Sequence, residues 1–183
     1  MAFFYCDFRD EEKQTRRGLL SSLLGQFCAQ SDTYCNILSK LYSGHNDGSQ
    51  YPSDSALEQC LSEMLNYPGQ APIYIIVDAL DECPKTSDTP SSREKVLKFL
   101  EQLVNRSHPN LHICVTSRPE PDIETILAPL AFHSVCLHDQ VGQKQDIIDY
   151  VCSVVSSDSK MRKWRAEDKK LVIDTLTRRA DGM

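Results

Sequence analysis

The stretch YIIVDALDEC, from Tyr74 to Cys83, decides the predicted fold of this 183-residue chain. Its first four residues are apolar and lead to Asp78, and the acidic pair Asp81 and Glu82 follows after two small or apolar residues. A short apolar run that ends in carboxylates is typical of a buried strand that delivers them to the edge of a sheet. The stretch therefore predicts a sheet whose edge carries polar chemistry.

Short apolar runs alternate with helical patterns along the chain, which is typical of an α/β fold with a parallel sheet. Three of these runs are nearly continuous in apolar residues, and this indicates strands that helices cover on both faces. The predicted strands are Ala2–Phe8, Ile73–Asp78, Leu111–Ser117 and Ser134–Leu137.

The segments between these strands carry helical periodicity and capping signals. Apolar residues at helical spacing from Leu19 to Phe27 predict one helix, and a short helix is predicted at Asp122–Leu127 after two prolines. Two further helices are predicted from capping-box pairs, in which a serine is followed three residues later by a glutamate. These pairs are Ser55 with Glu58 and Ser91 with Glu94.

The pattern changes after His138. From Gln143 onward the sequence is purely helical, so we expect a boundary near residue 140. Residues 1–140 are the predicted sheet domain, and residues 141–183 are the predicted start of an appended helical subdomain.

Charge and cysteine usage exclude several classes of protein. A net charge of -6 argues against general binding of nucleic acid or of membrane surfaces, and the basic stretch Lys160–Lys170, which contains Trp164, is more typical of a solvated helix face. No apolar run is long enough to cross a bilayer. The eight cysteines form no Cys-x-x-Cys pair, and five of them lie in apolar segments. We therefore expect reduced thiols in a cytoplasmic protein, without structural zinc.

The first candidate site residue is Asp78. A carboxylate at the C-terminal end of a buried parallel strand lies where open α/β sheets bind ligands. Magnesium prefers one or two carboxylates together with phosphate oxygens, so Asp78 is a candidate to hold Mg²⁺ through water. Asp81 and Glu82 are candidates to orient or deprotonate an attacking water. The alternative is an ordinary polar turn at the end of a strand.

The second candidate lies in LHICVTSRPEPDI, residues 111–123, where a predicted strand ends just before Arg118. An arginine at the C-terminal edge of a strand can reach a phosphate as a permanent cation, although it can equally be a surface residue in a turn. Since the two predicted strands would lie side by side, Asp78 and Arg118 would face the same ligand. A metal pair formed by His108 and His112 has little support, because Pro109 separates them.

The two segments YIIVDALDEC and ICVTSRPEPDI together resemble the NACHT domain of the STAND class of P-loop NTPases, in the form of a large fungal set described as nephrocystin 3-like. FFYCDFRDEEKQTRRGLLSSLLGQF and the terminal RRADGM fit the same family, so the resemblance spans essentially the whole chain. It implies that Asp78 is the magnesium-linked Walker B aspartate, that Asp81 and Glu82 are the extended acidic pair, and that Arg118 touches the terminal phosphate. The implied cofactor is Mg²⁺ with ATP or GTP.

The phosphate loop of such NTPases, G-x-x-x-x-G-K-[ST], does not occur in the sequence, since none of the seven glycines is followed by Lys-Ser or Lys-Thr. The resemblance implies that this loop precedes Ala2–Phe8 and that its strand lies between Leu111–Ser117 and Ser134–Leu137. We therefore expect a P-loop NTPase-type sheet that lacks its first strand, in which these two strands pair directly or leave backbone groups unsatisfied. We expect the chain alone to bind nucleotide poorly and to hydrolyse it negligibly.

Two hypotheses for function follow. In the first, the chain is part of an NTPase switch in a signalling protein, in which ATP or GTP binding and slow hydrolysis control association with other STAND protomers or effector domains. In the second, it is a degenerate interaction module that does not bind nucleotide by itself. A metal hydrolase that uses the acidic residues alone is a weaker third alternative.

Overall fold

The computed structural model describes residues 1–85, 90–136 and 141–179, the last range without the side chains of residues 141–144. It divides into two compact units, Met1–Ala131 and Phe132–Met183. The first unit contains a three-stranded parallel sheet with flanking helices, which confirms the predicted α/β fold class. The boundary predicted near residue 140 lies outside the described residues and stays a prediction.

The sheet is formed by β1 (Ala2–Tyr5), β2 (Ile73–Asp78) and β3 (Leu111–Val115), in the order β1-β2-β3. All pairs are parallel, so the C-terminal ends of the three strands meet at one edge of the sheet. There Tyr5 lies opposite Asp78. The bounds of β2 are as predicted, whereas β1 and β3 end earlier than the apolar runs indicated.

The described part of the chain contains seven α-helices. In chain order they are α1 (Arg16–Cys28), α2 (Asp32–Ser43), α3 (Asp54–Leu65), α4 (Ser92–Asn105), α5 (Pro121–Leu127), α6 (Val141–Ser157) and α7 (Ala166–Arg179). Short 3-10 helices lie at Glu11–Gln14, Leu80–Glu82 and Ala128–Leu130. The helix predicted from the leucine stripe is α1, and its leucines are all buried.

The two predicted capping boxes have different outcomes. Ser91 and Glu94 form the full reciprocal box at the start of α4, as predicted. The box predicted at Ser55 and Glu58 is wrong, because α3 is capped two residues earlier by Ser53, whose Oγ accepts the amide N–H of Ala56 at 3.2 Å. The carboxylate of Glu58 instead lies 3.3 Å from Arg16 on α1.

Among the described residues of the first unit, helices cover only one face of the sheet, which corrects the expectation of helices on both faces. Burial alternates along β1 and β2, and the open face exposes Phe3 (45%), Tyr5 (54%) and Tyr74 (49%). The strand order explains the difference: successive right-handed crossovers that all advance in one direction place their helices on the same side. The buried face packs against α1, α3 and α4 to form the core of the first unit.

The two edges of the sheet differ. Two glutamines, Gln26 on α1 and Gln30 just after it, lie along the outer edge of β1. Gln26 accepts the N–H of Phe3 at 3.0 Å and donates to its carbonyl, and Gln30 donates to the carbonyl of Met1 at 2.8 Å. A primary amide can take the place of a neighbouring strand's peptide group in this way, so the edge is blocked at Met1 and Phe3. By contrast, β3 pairs only with β2 among the described residues, which leaves its other edge open there.

The fourth predicted strand is not formed over its described residues. Ser134–Cys136 is irregular and exposed, and Leu137 lies outside the described part of the chain. The physical reason is that a strand requires a hydrogen-bonded neighbour, and no described strand pairs with this segment. Direct pairing between this segment and β3 is therefore not observed.

The second unit consists of α6 and α7, which pack against each other, and Val155 of α6 is buried. None of the helices in the described part of the chain combines the length and apolarity that crossing a membrane requires.

Candidate functional site

The acidic turn, defined as residues 78–83, begins where β2 leaves the sheet. Asp78 is half-buried at the end of the strand, and Ala79 takes a left-handed conformation with φ of 54°. A non-glycine residue in this region is strained by about 1 kcal/mol or more, so the surroundings must hold it there. The amide of Ala79 does donate to Thr116 Oγ1 at 3.0 Å, and Leu80 is fully buried below the turn.

Asp78 is linked to the end of β3. The hydroxyl of Thr116 donates to Asp78 Oδ1, and the backbone of Thr116 bonds to Val77 and Leu80 on either side. The second carboxylate oxygen, Oδ2, accepts no hydrogen bond from the described residues. Asp78 therefore has one oxygen oriented by the protein and one available to water or to a cation.

The acidic pair fastens the turn to both neighbouring strands. Asp81 Oδ1 accepts the amide N–H of Arg118 at 3.0 Å, and Glu82 Oε2 accepts the amide N–H of Phe8 at 3.1 Å. These two bonds reach the segments that follow β3 and β1, so the turn ties together all three strand ends. Such charge-assisted bonds to backbone N–H groups are the stronger kind of protein hydrogen bond.

Arg118 lies beside Asp81. Its Nε is 3.6 Å from Asp81 Oδ2, and its side chain is 84% exposed while that of Asp81 is 14% exposed. An ion pair whose cation is this exposed contributes less than about 1 kcal/mol. The structure thus brings Arg118 and Asp81 into contact, and Asp78 is joined to the same strand end through Thr116 rather than directly to Arg118.

Arg93, which the sequence reasoning missed, supports the acidic turn from below. It lies on α4 with a side chain only 7% exposed, and its guanidinium donates to the carbonyl oxygens of Asp81 at 2.5 Å and Cys83 at 2.8 Å. On its other side it lies 3.4 Å from Glu120 and 3.5 Å from Asp122. The signal in the sequence is an arginine on the apolar face of an amphipathic helix, three residues before the buried Val96.

A second cation completes this network. Lys85 lies 2.7 Å from Asp122 and 3.4 Å from Glu120, so two carboxylates and two cations neutralise one another. Partial burial raises the pKa of Asp122. The hydrogen bond from Lys85 and the charges of Lys85 and Arg93 together lower it by a larger amount, so the net shift of the pKa is downward. The network fixes the start of α5 relative to the acidic turn.

Cys83 ends the acidic turn against Cys6, which follows β1. The two sulfur atoms are 3.4 Å apart and share a hydrogen bond, and both residues are buried. That hydrogen bond lowers the pKa of Cys83, burial opposes the shift, and the charge of Arg93 adds to it. The same hydrogen bond, followed by burial, raises the pKa of Cys6.

The predicted site residues therefore gather at one open edge of the sheet. Asp78, Asp81, Glu82 and Arg118 all lie on segments that the acidic turn connects. Among the described residues no three His, Cys, Asp or Glu side chains form a metal-binding cluster. A surface cavity of about 630 Å³ lies elsewhere, along β1 and the start of α1.

Comparison with known proteins identifies a family for this chain. The sequence model of the family described as Nephrocystin 3, N-terminal, matches residues 1–118, which contain β1 to β3 and the whole acidic turn. No curated protein matches the chain, and no solved structure does. The matched residues make up more than half of the sequence, and the chain belongs to the nephrocystin 3 N-terminal family.

Proposed function

We propose that this chain is part of a NACHT-type nucleotide switch of the STAND class, which binds ATP or GTP with magnesium and hydrolyses it slowly. The observation that carries the proposal is the convergence of Asp78, Asp81, Glu82 and Arg118 on the carboxyl ends of the parallel strands. This edge is where open α/β sheets bind their ligands. The proposed setting is a cytoplasmic signalling protein that associates with other STAND protomers or effector domains.

The residues present fit magnesium. Asp78 offers a free carboxylate oxygen at the sheet edge, next to the hydroxyl of Thr116. A single carboxylate without a cluster of protein ligands suits an ion that keeps most of its waters and takes the rest of its ligands from phosphate. When bound, Mg²⁺ would neutralise charge on the terminal phosphates. In this proposal Asp78 holds the ion through water.

The side chain of Arg118 is proposed to leave its ion pair with Asp81 and to contact the terminal phosphate when nucleotide binds. Its present ion pair is long and exposed and costs little to break. Its backbone is fixed by Asp81, so the side chain can move while its attachment point stays in place. Glu82 uses only Oε2 to bind Phe8, and its other oxygen remains able to accept a proton from an attacking water.

The phosphate loop is proposed to come from sequence outside these 183 residues. The open edge of β3 supports this, because a parallel strand added there would bring the loop that follows it to the same carboxyl edge as the acidic turn. The blocked edge of β1 leaves no equivalent position on the other side.

The test is the coding frame upstream of Met1 in the native transcript. The proposal expects a strand pattern followed by G-x-x-x-x-G-K-[ST] in frame and just upstream. A stop codon in frame directly above Met1, with no such loop elsewhere in the transcript, would contradict it.

A second candidate is a non-catalytic interaction module. It is favoured by the two hydrogen bonds through which Asp81 and Glu82 fasten the strand ends, since that role requires no nucleotide. The exposed aromatic face formed by Phe3, Tyr5 and Tyr74 also offers a surface for contact. A stop codon in frame directly above Met1, with no phosphate loop elsewhere in the transcript, would favour the non-catalytic interaction module over the nucleotide switch.

A further inference from the structure

We propose that Cys6 and Cys83 are a site of reversible oxidation, at which a small peroxide converts the two thiols into a disulfide between the end of β1 and the acidic turn. The inference is independent of nucleotide binding. It rests on the position of the two sulfur atoms and on what surrounds them.

The geometry is close to that of a disulfide. The sulfur atoms are 3.4 Å apart, and a disulfide bond is about 2.05 Å long, so they need to approach by only about 1.4 Å. The backbone at both ends is well fixed. The amide of Cys6 donates to the carbonyl of Asp78 at 3.0 Å, and the carbonyl of Cys83 accepts the guanidinium of Arg93 at 2.8 Å.

The surroundings distinguish this pair from the other buried cysteine of the core. Cys60 is also buried, but burial raises its pKa to about 11, and no hydrogen bond to a second thiol is observed for it. Cys83 has a thiol neighbour and the positive charge of Arg93 close by, which favours its thiolate. Cys83 is therefore the sulfur that reacts first with the peroxide.

The chemistry balances with hydrogen peroxide as the oxidant. The Cys83 thiolate attacks one peroxide oxygen, the O–O bond breaks, and the products are a sulfenic acid and hydroxide, which takes up a proton. The sulfur of Cys6 then attacks the sulfur of Cys83, the S–O bond breaks, and water leaves with the proton of Cys6. In total two thiols lose two electrons to one peroxide, with formation of one disulfide and two waters.

The oxidant has a route to the pair because Cys6 follows an edge strand. Tyr5 next to it and Phe8 two residues later are 54% and 68% exposed, so local opening of a few residues after β1 brings Cys6 and the adjacent sulfur of Cys83 to solvent. A small oxidant needs no larger rearrangement.

The experiment treats the folded chain with a small excess of hydrogen peroxide, alkylates the remaining thiols and maps disulfides by mass spectrometry. Trypsin alone leaves Cys60 and Cys83 in one peptide, residues 41–85, so a second protease that cleaves before aspartate is needed. We expect a linked Cys6–Cys83 peptide that disappears after reduction. A melting temperature about 5 °C or more higher in the oxidised form is also expected, because the link closes a long loop.

Matched variants complete the test. Cys6→Ala and the equally buried Cys60→Ala both remove a core thiol, but only Cys6→Ala should abolish the rise in melting temperature on oxidation. If a variant does not fold, the disulfide map of the unaltered chain still shows whether Cys6 and Cys83 become linked. The proposal is overturned if folded, peroxide-treated protein yields both thiols alkylated, a sulfinic acid without the link, or the link only after denaturation.

Discussion

At the scale of single residues, Arg93 determines the geometry of the candidate site without touching the edge where a ligand would bind. Its guanidinium donates hydrogen bonds to two backbone carbonyls of the acidic turn. It also forms ion pairs with Asp122 on α5 and with Glu120 just before that helix. A buried cation of this kind is tolerated only because every donor has a partner. The turn and the arginine therefore depend on each other.

Replacing Arg93 with methionine should lower the free energy of unfolding by about 3 kcal/mol, because two carbonyls of the acidic turn lose their partner and two carboxylates keep only Lys85. Urea denaturation measures this. Arg106→Met is the matched control, since Arg106 is exposed at the C-terminal end of the same helix, and it should change stability by less than about 0.5 kcal/mol. Equal effects of the two substitutions would show that Arg93 does not support the turn.

At the scale of elements, the junction between the first 3-10 helix and α1 has no room for a side chain at Gly18. A Cβ atom there would overlap the carbonyl oxygen of Glu12, which is backbone and cannot simply rotate away. The amide of Gly18 also donates to Thr15, the N-cap of α1. The glycine therefore allows the chain to turn tightly between β1 and α1.

Gly18→Ala should destabilise the protein by about 2 kcal/mol, because the backbone around Glu12 must shift. Gly25 provides the matched control on the same helix: a Cβ there meets nothing within 4 Å, and alanine is the better helix former. Gly25→Ala should stabilise by about 0.5–1 kcal/mol. Thermal or urea unfolding of both variants gives the comparison, and a stabilising Gly18→Ala would refute the packing argument.

At the scale of the whole molecule, what the sequence predicts depends on whether the signal is local. The run before Asp78 is long and apolar enough to predict β2 correctly, and Ser91 with Glu94 predicts the start of α4 because capping involves residues close in sequence. The helix α2 was missed although Ile37 and its apolar neighbours have helical spacing. Periodicity would have found it.

Other features are not local and could not be predicted in this way. The position of Arg93 on the apolar face of α4 indicates a buried side chain, but its partners are backbone carbonyls, which no side-chain pattern displays. The open sheet face was missed because Phe3, Tyr5 and Tyr74 are apolar although exposed, so the strands look buried on both sides. The strand at Ser134–Leu137 was predicted from its local pattern, but a strand also needs a neighbouring strand to pair with, and the local pattern does not show whether one is present.

The proposed function requires that the open edge around Asp78 binds magnesium and nucleotide once a phosphate loop is joined to it. Its most direct test is a calorimetric titration of Mg·ATP and Mg·GTP into the 183-residue chain and into the longer protein read from the native transcript. We expect no measurable binding to the short chain. The longer protein should bind one of the nucleotides, and Asp78→Asn should weaken that binding by about tenfold or more, since the negative charge that holds the hydrated ion is lost. Asp168→Asn, an exposed carboxylate on α7, should leave it unchanged. Binding by the short chain, or equal binding by Asp78→Asn and the unaltered longer protein, would contradict the claim.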